Sequence, residues 1–134
     1  MRQGLWCCLI ALACSSDLGP SSPGVVLRQQ LAAGPEIPMT ATVEGNWVVV
    51  QGRYSLQGCR ILRGAIEETP GALLLNVIAT RPRVPCPESY RLHDYEVRIG
   101  PLAPGGLQLT VVERTEERLG WPAPIALRAE LRVE

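Results

Sequence analysis

Hydrophobic and polar positions alternate with a period of two over much of the chain beyond residue 24. The final segment shows this most clearly, because its apolar residues alternate with charged ones: Ile125, Leu127, Ala129, Leu131 and Val133 against Arg128, Glu130, Arg132 and Glu134. Successive side chains of a β-strand point to opposite faces, so the pattern predicts a strand with one buried and one wet face. The same alternation recurs at residues 95–99 and 107–111.

Turn residues divide the rest of the chain into further short strands. A strand is predicted to begin at Val25, and others are predicted at 39–43, 47–53, 59–66, 72–80 and 90–99. Residues 44–46 and 68–71 have the Gly, Asn and Pro content of tight turns. The segment 72–79 is apolar on both faces, which predicts a central, buried strand.

The predicted fold is therefore all-β, with about 7–8 strands in an antiparallel β-sandwich; a small β-barrel is the alternative. No segment has the 3.6-residue period of a helix of normal length. Residues 25–33 come nearest to it, but their Val-Val start favours a strand.

The segment Tyr95–Val112 contains a Pro-Gly turn between two alternating stretches. It resembles the strand–turn–strand unit of fibronectin-type and other immunoglobulin-like domains. The resemblance covers about 18 residues and implies a β-sandwich without implying a function. In those domains a tyrosine often follows the Pro-Gly pair, whereas this chain has Leu107 near that position.

The first residues have the organisation of an export signal. Arg2 precedes an apolar run, Leu5 to Ala13, which is too short for a transmembrane helix of about 20 residues. The polar, breaker-rich sequence that follows argues against the alternative of a buried N-terminal helix or strand. The tetrapeptide ending at Cys14, Ala-Leu-Ala-Cys, resembles the lipobox of bacterial lipoproteins, although Ala11 stands where leucine is usual. The resemblance implies that Cys14 is acylated; plain secretion would cut at the same position.

Three regions follow from this interpretation: a signal peptide at 1–13, a lipidated cysteine and flexible tether at 14–24, and a β-sandwich domain at 25–134. The tether has the Ser, Gly and Pro composition of a linker. The chain is similar to small envelope lipoproteins that carry one immunoglobulin-like domain. That resemblance implies an exported protein, anchored at the outer membrane or the periplasmic face if the cell is Gram-negative.

The five cysteines fit the same processing. Cys7 and Cys8 leave with the signal and Cys14 carries the lipid, so Cys59 and Cys86 remain and are expected to pair in an oxidising compartment. The bridge would close a loop of about 28 residues, for which the chain-entropy model gives roughly 3.6 kcal/mol. Two separate buried thiols are the alternative.

Charge excludes some partners. The chain has 13 basic and 13 acidic residues, so no strong field favours nucleic acid or an anionic membrane surface. Every basic residue is arginine, which we interpret as the codon bias of a GC-rich genome.

Catalytic and metal sites find little support. His93 is the only histidine, and Ser89 four residues earlier would lie about 13 Å away along a strand. A copper site of His93, Met39 and the two cysteines loses its thiolates if they pair. The acidic doublets 67–68 and 116–117 are typical of solvated turns. We therefore predict no enzyme, no cofactor and no metal.

Two loops are candidates for binding. Residues 81–89 contain three prolines and Cys86, with Arg81 and Arg83 as candidate partner contacts, and residues 115–124 contain Trp121. Each loop also has a structural alternative. The first would be a connection fixed in place by the disulfide, and the second would fold back as a lid that covers the end of the sandwich. Trp47, at the start of a strand, is expected in the core.

The predicted function is a lipid-anchored envelope protein with a non-enzymatic binding or scaffolding domain whose partner is another envelope component. A carbohydrate- or peptidoglycan-binding module is the alternative, and it requires an exposed strip of Trp121 with Tyr54, Tyr90 or Tyr95. A secreted, unanchored enzyme is a third interpretation, and it requires His93 in a pocket beside a hydroxyl or carboxylate from a distant strand.

Overall fold

The structure is a computed structural model that describes residues 23–134. The signal peptide, Cys14 and nearly all of the tether lie outside the described residues. Eight strands and one short 3-10 helix follow in chain order: β1 Gly24–Leu31, β2 Thr40–Glu44, β3 Trp47–Gln57, β4 Leu62–Thr69, β5 Ala72–Ala79, β6 Tyr90–Gly100, β7 Gly105–Thr115, η1 Glu116–Arg118 and β8 Ile125–Val133. Within these residues, no helix is both long and apolar enough to cross a membrane.

The strands form two four-stranded sheets that pack face to face. Sheet A has the order β1-β6-β3-β2, and sheet B has the order β4-β5-β7-β8. The predicted all-β sandwich is confirmed, and the described residues do not form the alternative closed barrel.

One strand pair departs from antiparallel pairing. β5 and β7 run parallel, from Ala72 opposite Gln108 to Ala79 opposite Thr115, while the other neighbouring pairs are antiparallel. The chain leaves sheet B after β5, adds β6 to sheet A, and returns to sheet B as β7. The connection 101–104, which ends with the proline of the Pro-Gly pair, therefore joins strands of opposite sheets.

The core lies between the sheets and is built from the alternating positions. The largest fully buried side chains are aliphatic and come from both sheets: Val48, Val50, Val97 and Ile99 in sheet A, and Leu75, Val77, Leu109 and Val111 in sheet B. β5 is central and buried, as its apolar sequence predicts. In β8, residues 127–133 alternate between partly buried and exposed, so that strand covers the core with one face.

Trp47 lies outside this core. Its ring packs against Gly100, where an added Cβ would come within 2.6 Å of it. Trp47 alternates with the buried Val48, so it is on the outer face of sheet A and only partly buried. The expectation of a core tryptophan was wrong because the side chain of Trp47, the first residue of β3, points to the opposite face from those of Val48 and Val50.

The two ends of the sandwich differ in their connections. We call the end with the short turns 45–46, 70–71 and 101–104 the turn end, and β1 starts there at Gly24. We call the opposite end the loop end; it carries the connections 32–39, 58–61, 80–89 and 116–124. Strands of eleven residues, at about 3.3 Å per residue, separate the two ends by roughly 35 Å.

Candidate functional site

A disulfide joins two connections of the loop end. Cys59 and Cys86 are bonded, with their Cα atoms 5.8 Å apart and 27 positions apart in sequence. The predicted pairing is confirmed. The bridge holds the 80–89 loop, with its three prolines, against the crossing between β3 and β4.

Arg60 extends this crosslink to a third connection. Its guanidinium contacts both carboxylate oxygens of Glu117, with Nη1–Oε1 and Nη2–Oε2 distances of 3.0 and 2.6 Å. Its Nε donates to Gln57 Oε1 at 2.9 Å, and Nη1 also donates to the Thr80 carbonyl at 3.3 Å. A bidentate arginine–carboxylate pair fixes orientation as well as distance. Cys59 and Arg60 together therefore hold three of the four loop-end connections to one another.

This pairing changes the carboxyl of Glu117. The hydrogen bonds from Arg60 are the main cause that lowers its pKa, and the charge of Arg81 adds a smaller effect in the same direction. Glu117 is therefore held in a specific ion pair with Arg60. Glu117 lies on an exposed 3-10 turn, as the interpretation of the doublet 116–117 as a solvated turn predicts, and its pairing with Arg60, 57 positions away, is an addition that no local pattern indicates.

Arg114, near the end of β7, fixes the last loop. Its Nη1 donates to the carbonyl oxygens of Leu119 and Trp121, at 3.0 and 3.4 Å. The Trp121 amide donates to the Arg118 carbonyl at 3.0 Å, closing a turn after η1. These contacts tie the backbone of the Trp121 segment to β7 and η1 without burying its ring.

Trp121 is 65% exposed. The Arg118 guanidinium lies over its indole, with Cζ 5.7 Å from the ring centroid. That distance is within the range of a cation–π interaction. Trp121 does not fold back as a lid, so the structural alternative for this loop was wrong.

A groove opens beside this loop, between the ends of β3 and β7. Its volume is about 460 Å³, inside the range of roughly 300–1,000 Å³ that is usual for small-molecule sites. Tyr54 and Tyr90 contribute aromatic rings, and residues 122–124 form part of the wall. The charged residues of the lining are Arg60, Arg114 and Arg118 together with Glu113 and Glu117.

Beneath the groove, two polar side chains meet inside the sandwich. The Tyr95 hydroxyl donates to Glu113 Oε2 at 2.8 Å. Burial raises the pKa of both groups, since each charged form is poorly solvated there. Gly52 makes room for this pair, because an added Cβ would lie 2.5 Å from the Tyr95 hydroxyl oxygen.

His93 is also on the inner face of sheet A and is only 4% exposed. Its Nδ1 lies 3.4 Å from Gln29 Nε2, and Gln29 Oε1 accepts from the Leu62 amide at 2.6 Å. Within residues 23–134, His93 Nε2 is buried without a hydrogen-bond partner. Ser89 is exposed in the loop before β6, so the structure does not bring the two side chains into a catalytic pair.

The predicted contact residues lie at the loop end but do not form one strip. Arg81, Arg83 and Trp121 are all exposed. Of the tyrosines, Tyr90 is 67% exposed, Tyr54 is partly buried in the groove, and Tyr95 is buried in the core. Tyr54 and Tyr90 line the same groove beside the Trp121 loop, whereas Tyr95 is buried and cannot belong to an exposed strip.

Sequence reasoning missed the residues that organise this end. Glu113 and Arg114 lie on β7, whereas Arg60 lies in the connection between β3 and β4. Arg60 pairs with Glu117 and Glu113 with Tyr95, and each pair joins residues that are far apart in sequence. The position of Arg60 directly after a predicted half-cystine was the one available signal, since a residue beside a crosslink is held close to other loops.

Comparison with protein-family models, curated proteins and solved structures finds no match. The geometry of the loop end is therefore the basis on which a function can be assigned.

Proposed function

We propose that this protein is a cell-envelope lipoprotein whose β-sandwich presents a non-enzymatic binding surface at its loop end. In this proposal Cys14 carries the lipid and residues 15–24 form the tether. The observation that carries the proposal is that the start of β1 and the groove lie at opposite ends of the domain. β1 begins at the turn end, whereas the groove and the exposed Trp121 and Tyr90 lie at the loop end.

This arrangement suits a tethered binding domain. A chain anchored before Gly24 attaches to the turn end, so the loop end lies roughly the length of the strands, about 35 Å, from the point of attachment. Loops on a rigid scaffold commonly carry binding residues. Here the disulfide, Arg60 and Arg114 hold the loops in place, which lowers the entropy lost on binding.

A binding role fits the chemistry of the surface better than catalysis does. The one histidine is buried beside Gln29 and is not part of the groove lining. Exposed tryptophan, tyrosine and arginine side chains are the types that contribute most to binding interfaces. The binding or scaffolding function therefore rests on the exposed aromatic and basic residues of the loop end.

Site-specific photo-crosslinking in intact exporting cells tests the orientation. A crosslinker at position 121 should give a discrete adduct with an envelope component. The same crosslinker at Pro70, exposed in a turn at the opposite end, is the matched control and should give no such adduct. Equal labelling at both positions, or adducts only at position 70, would contradict the proposed surface.

A further inference from the structure

The groove combines the exposed ring of Tyr90 with unpaired positive charge, and the exposed Trp121 directly precedes residues 122–124 of its wall. Within residues 23–134, Arg118 has no carboxylate within salt-bridge distance, in contrast to Arg60, which pairs with Glu117. The chain as a whole has a formal net charge of zero. Because three arginines and two glutamates line the groove, this part of the surface is locally basic.

We propose that the groove binds a saccharide that carries a carboxylate, with the sugar ring on the aromatic residues and the carboxylate on Arg118. This inference rests on the proposed function, since it names the ligand class of the loop-end surface. The C–H groups of a sugar ring carry partial positive charge and favour the electron-rich face of an aromatic ring. Trp121 and Tyr90 offer such faces, being 65% and 67% exposed.

The polar lining supplies the hydrogen-bonding groups that sugar hydroxyls require. Tyr54 and Ser55 contribute hydroxyl groups, Gln57 an amide, and Glu113 a carboxyl. Hydroxyls donate and accept, the amide does both, and a carboxylate accepts. A ligand dense in hydroxyl groups satisfies such a mixed lining better than an apolar ligand does.

Arg118 selects for the acidic group. Guanidinium binds carboxylate through two parallel N–H donors, a geometry that a hydroxyl does not match. Its guanidinium covers one face of the Trp121 indole, so the sugar would stack on Tyr90 of the same lining or on the opposite face of the indole. Fragments of peptidoglycan combine amino-sugar rings with peptide carboxylates and therefore have both features.

Isothermal titration of the purified full chain tests the inference with two defined probes. A disaccharide-tetrapeptide muropeptide is the acidic saccharide, and chitotetraose is a neutral one of similar ring chemistry. The wild type should bind the muropeptide at least tenfold more tightly, with an affinity that falls as salt is raised. Trp121→Ala and Tyr90→Ala should each weaken muropeptide binding about tenfold or more.

The Arg118→Gln variant separates the two parts of the ligand. It should bring muropeptide affinity down to that for chitotetraose while leaving chitotetraose binding unchanged. Arg132→Gln, an exposed change in β8 away from the groove, and Val26→Ala, at a half-exposed position of β1, are the matched controls and should bind as the wild type does.

Three outcomes would overturn the inference. Failure of the folded wild type to bind either saccharide removes the glycan ligand. Equal binding of both saccharides, unaffected by Arg118→Gln, removes the acidic selectivity. Muropeptide binding that is unaffected by Trp121→Ala and Tyr90→Ala places the site elsewhere. If saccharide binding fails but position 121 still crosslinks to an envelope protein, the proposed loop-end surface stands and its ligand is a protein.

Discussion

Individual residues of this domain are constrained mainly by what lies across the sandwich from them. Gly52 is conformationally ordinary, yet its missing Cβ leaves the space that the Tyr95 hydroxyl occupies. Tyr95 in turn donates to Glu113 from the facing sheet. The three residues therefore form one buried unit, and a substitution at any of them alters the packing or the hydrogen bond of the others.

Replacing Gly52 with alanine should destabilise the protein by about 1–3 kcal/mol, the usual cost of overpacking a core. The added methyl group would overlap Tyr95, whose hydroxyl is held by Glu113. Urea denaturation measures the change. Gly106→Ala is the control, because nothing lies within 4 Å of its Cβ position and its φ is ordinary. An unchanged midpoint for Gly52→Ala would show that Tyr95 moves freely.

The Glu113 carboxyl makes stability depend on pH in a specific direction. Burial raises its pKa above the ordinary value of 4.5, so the folded state holds this proton more tightly than the unfolded state does. The carboxylate therefore destabilises the fold above its folded pKa, and this penalty vanishes below pH 4.5. Glu113→Gln removes the charge and keeps an acceptor for Tyr95.

We expect Glu113→Gln to raise the free energy of unfolding at pH 7 by about 0.5–2 kcal/mol, the range that single stabilising changes give, and so to raise the urea midpoint. At pH 4 the difference from wild type should largely disappear. Glu68→Gln, at an exposed position near a turn, controls for the general loss of a charge. A variant that is less stable than wild type at pH 7 would show that the charged hydrogen bond to Tyr95 outweighs the cost of burial.

At the scale of the elements, the loops depend on a covalent and an ionic contact that share neighbouring residues. Cys59 forms the bridge to Cys86, and Arg60 forms the pair with Glu117. The ion pair is partly exposed, so its own contribution should be below about 1 kcal/mol. The disulfide is therefore expected to provide most of the stability of the loop end.

Removing the bridge with the double variant Cys59→Ser, Cys86→Ser should lower the free energy of unfolding by about 3–4 kcal/mol, as expected for a loop of this size. Chemical denaturation of the variant measures this, and reduced wild-type protein should give a similar value. Arg83→Gln, an exposed change in the same loop, is the control. A loss below about 1 kcal/mol would mean that the unfolded chain gains little freedom without the bridge.

The strands themselves could be predicted from the sequence because their faces are encoded locally. The alternation in β8 identified a strand with one wet face, and the two-sided apolar sequence of β5 identified a central strand. The start of β4 was predicted three residues too early, at Cys59, because residues 58–61 form the crossing between sheets. There the Arg60 amide donates to the Gln57 carbonyl at 3.0 Å instead of entering a sheet.

Which strands are neighbours could not be predicted. A period of two tells which face of a strand is buried but not what lies beside it, so the parallel pair of β5 and β7 had no local signal. The same limit applies to the site. Trp121 and the disulfide were identified from residue type and cysteine parity, whereas the contacts of Arg60 and Arg114 depend on how distant loops meet.

At the scale of the whole molecule, β1 begins at the turn end, opposite the loop end that carries the proposed binding surface. Cys14→Ala should abolish incorporation of labelled palmitate and release the protein from membranes, while the folded domain remains intact by circular dichroism. Ser15→Ala, next to the proposed lipidation site, should leave both properties unchanged. Membrane retention of Cys14→Ala together with an unlabelled wild type would show that no lipid is attached.

The alternation of the chain between sheets has a consequence for the order in which the domain can fold. Sheet A gains its last strand only with β6, and sheet B cannot join β5 to β8 before β7 has entered between them. When the chain is synthesised from its N-terminus, neither sheet can be completed until β7, which ends at residue 115, is available. If the chain is exported as proposed, it is therefore expected to remain unfolded for most of its passage.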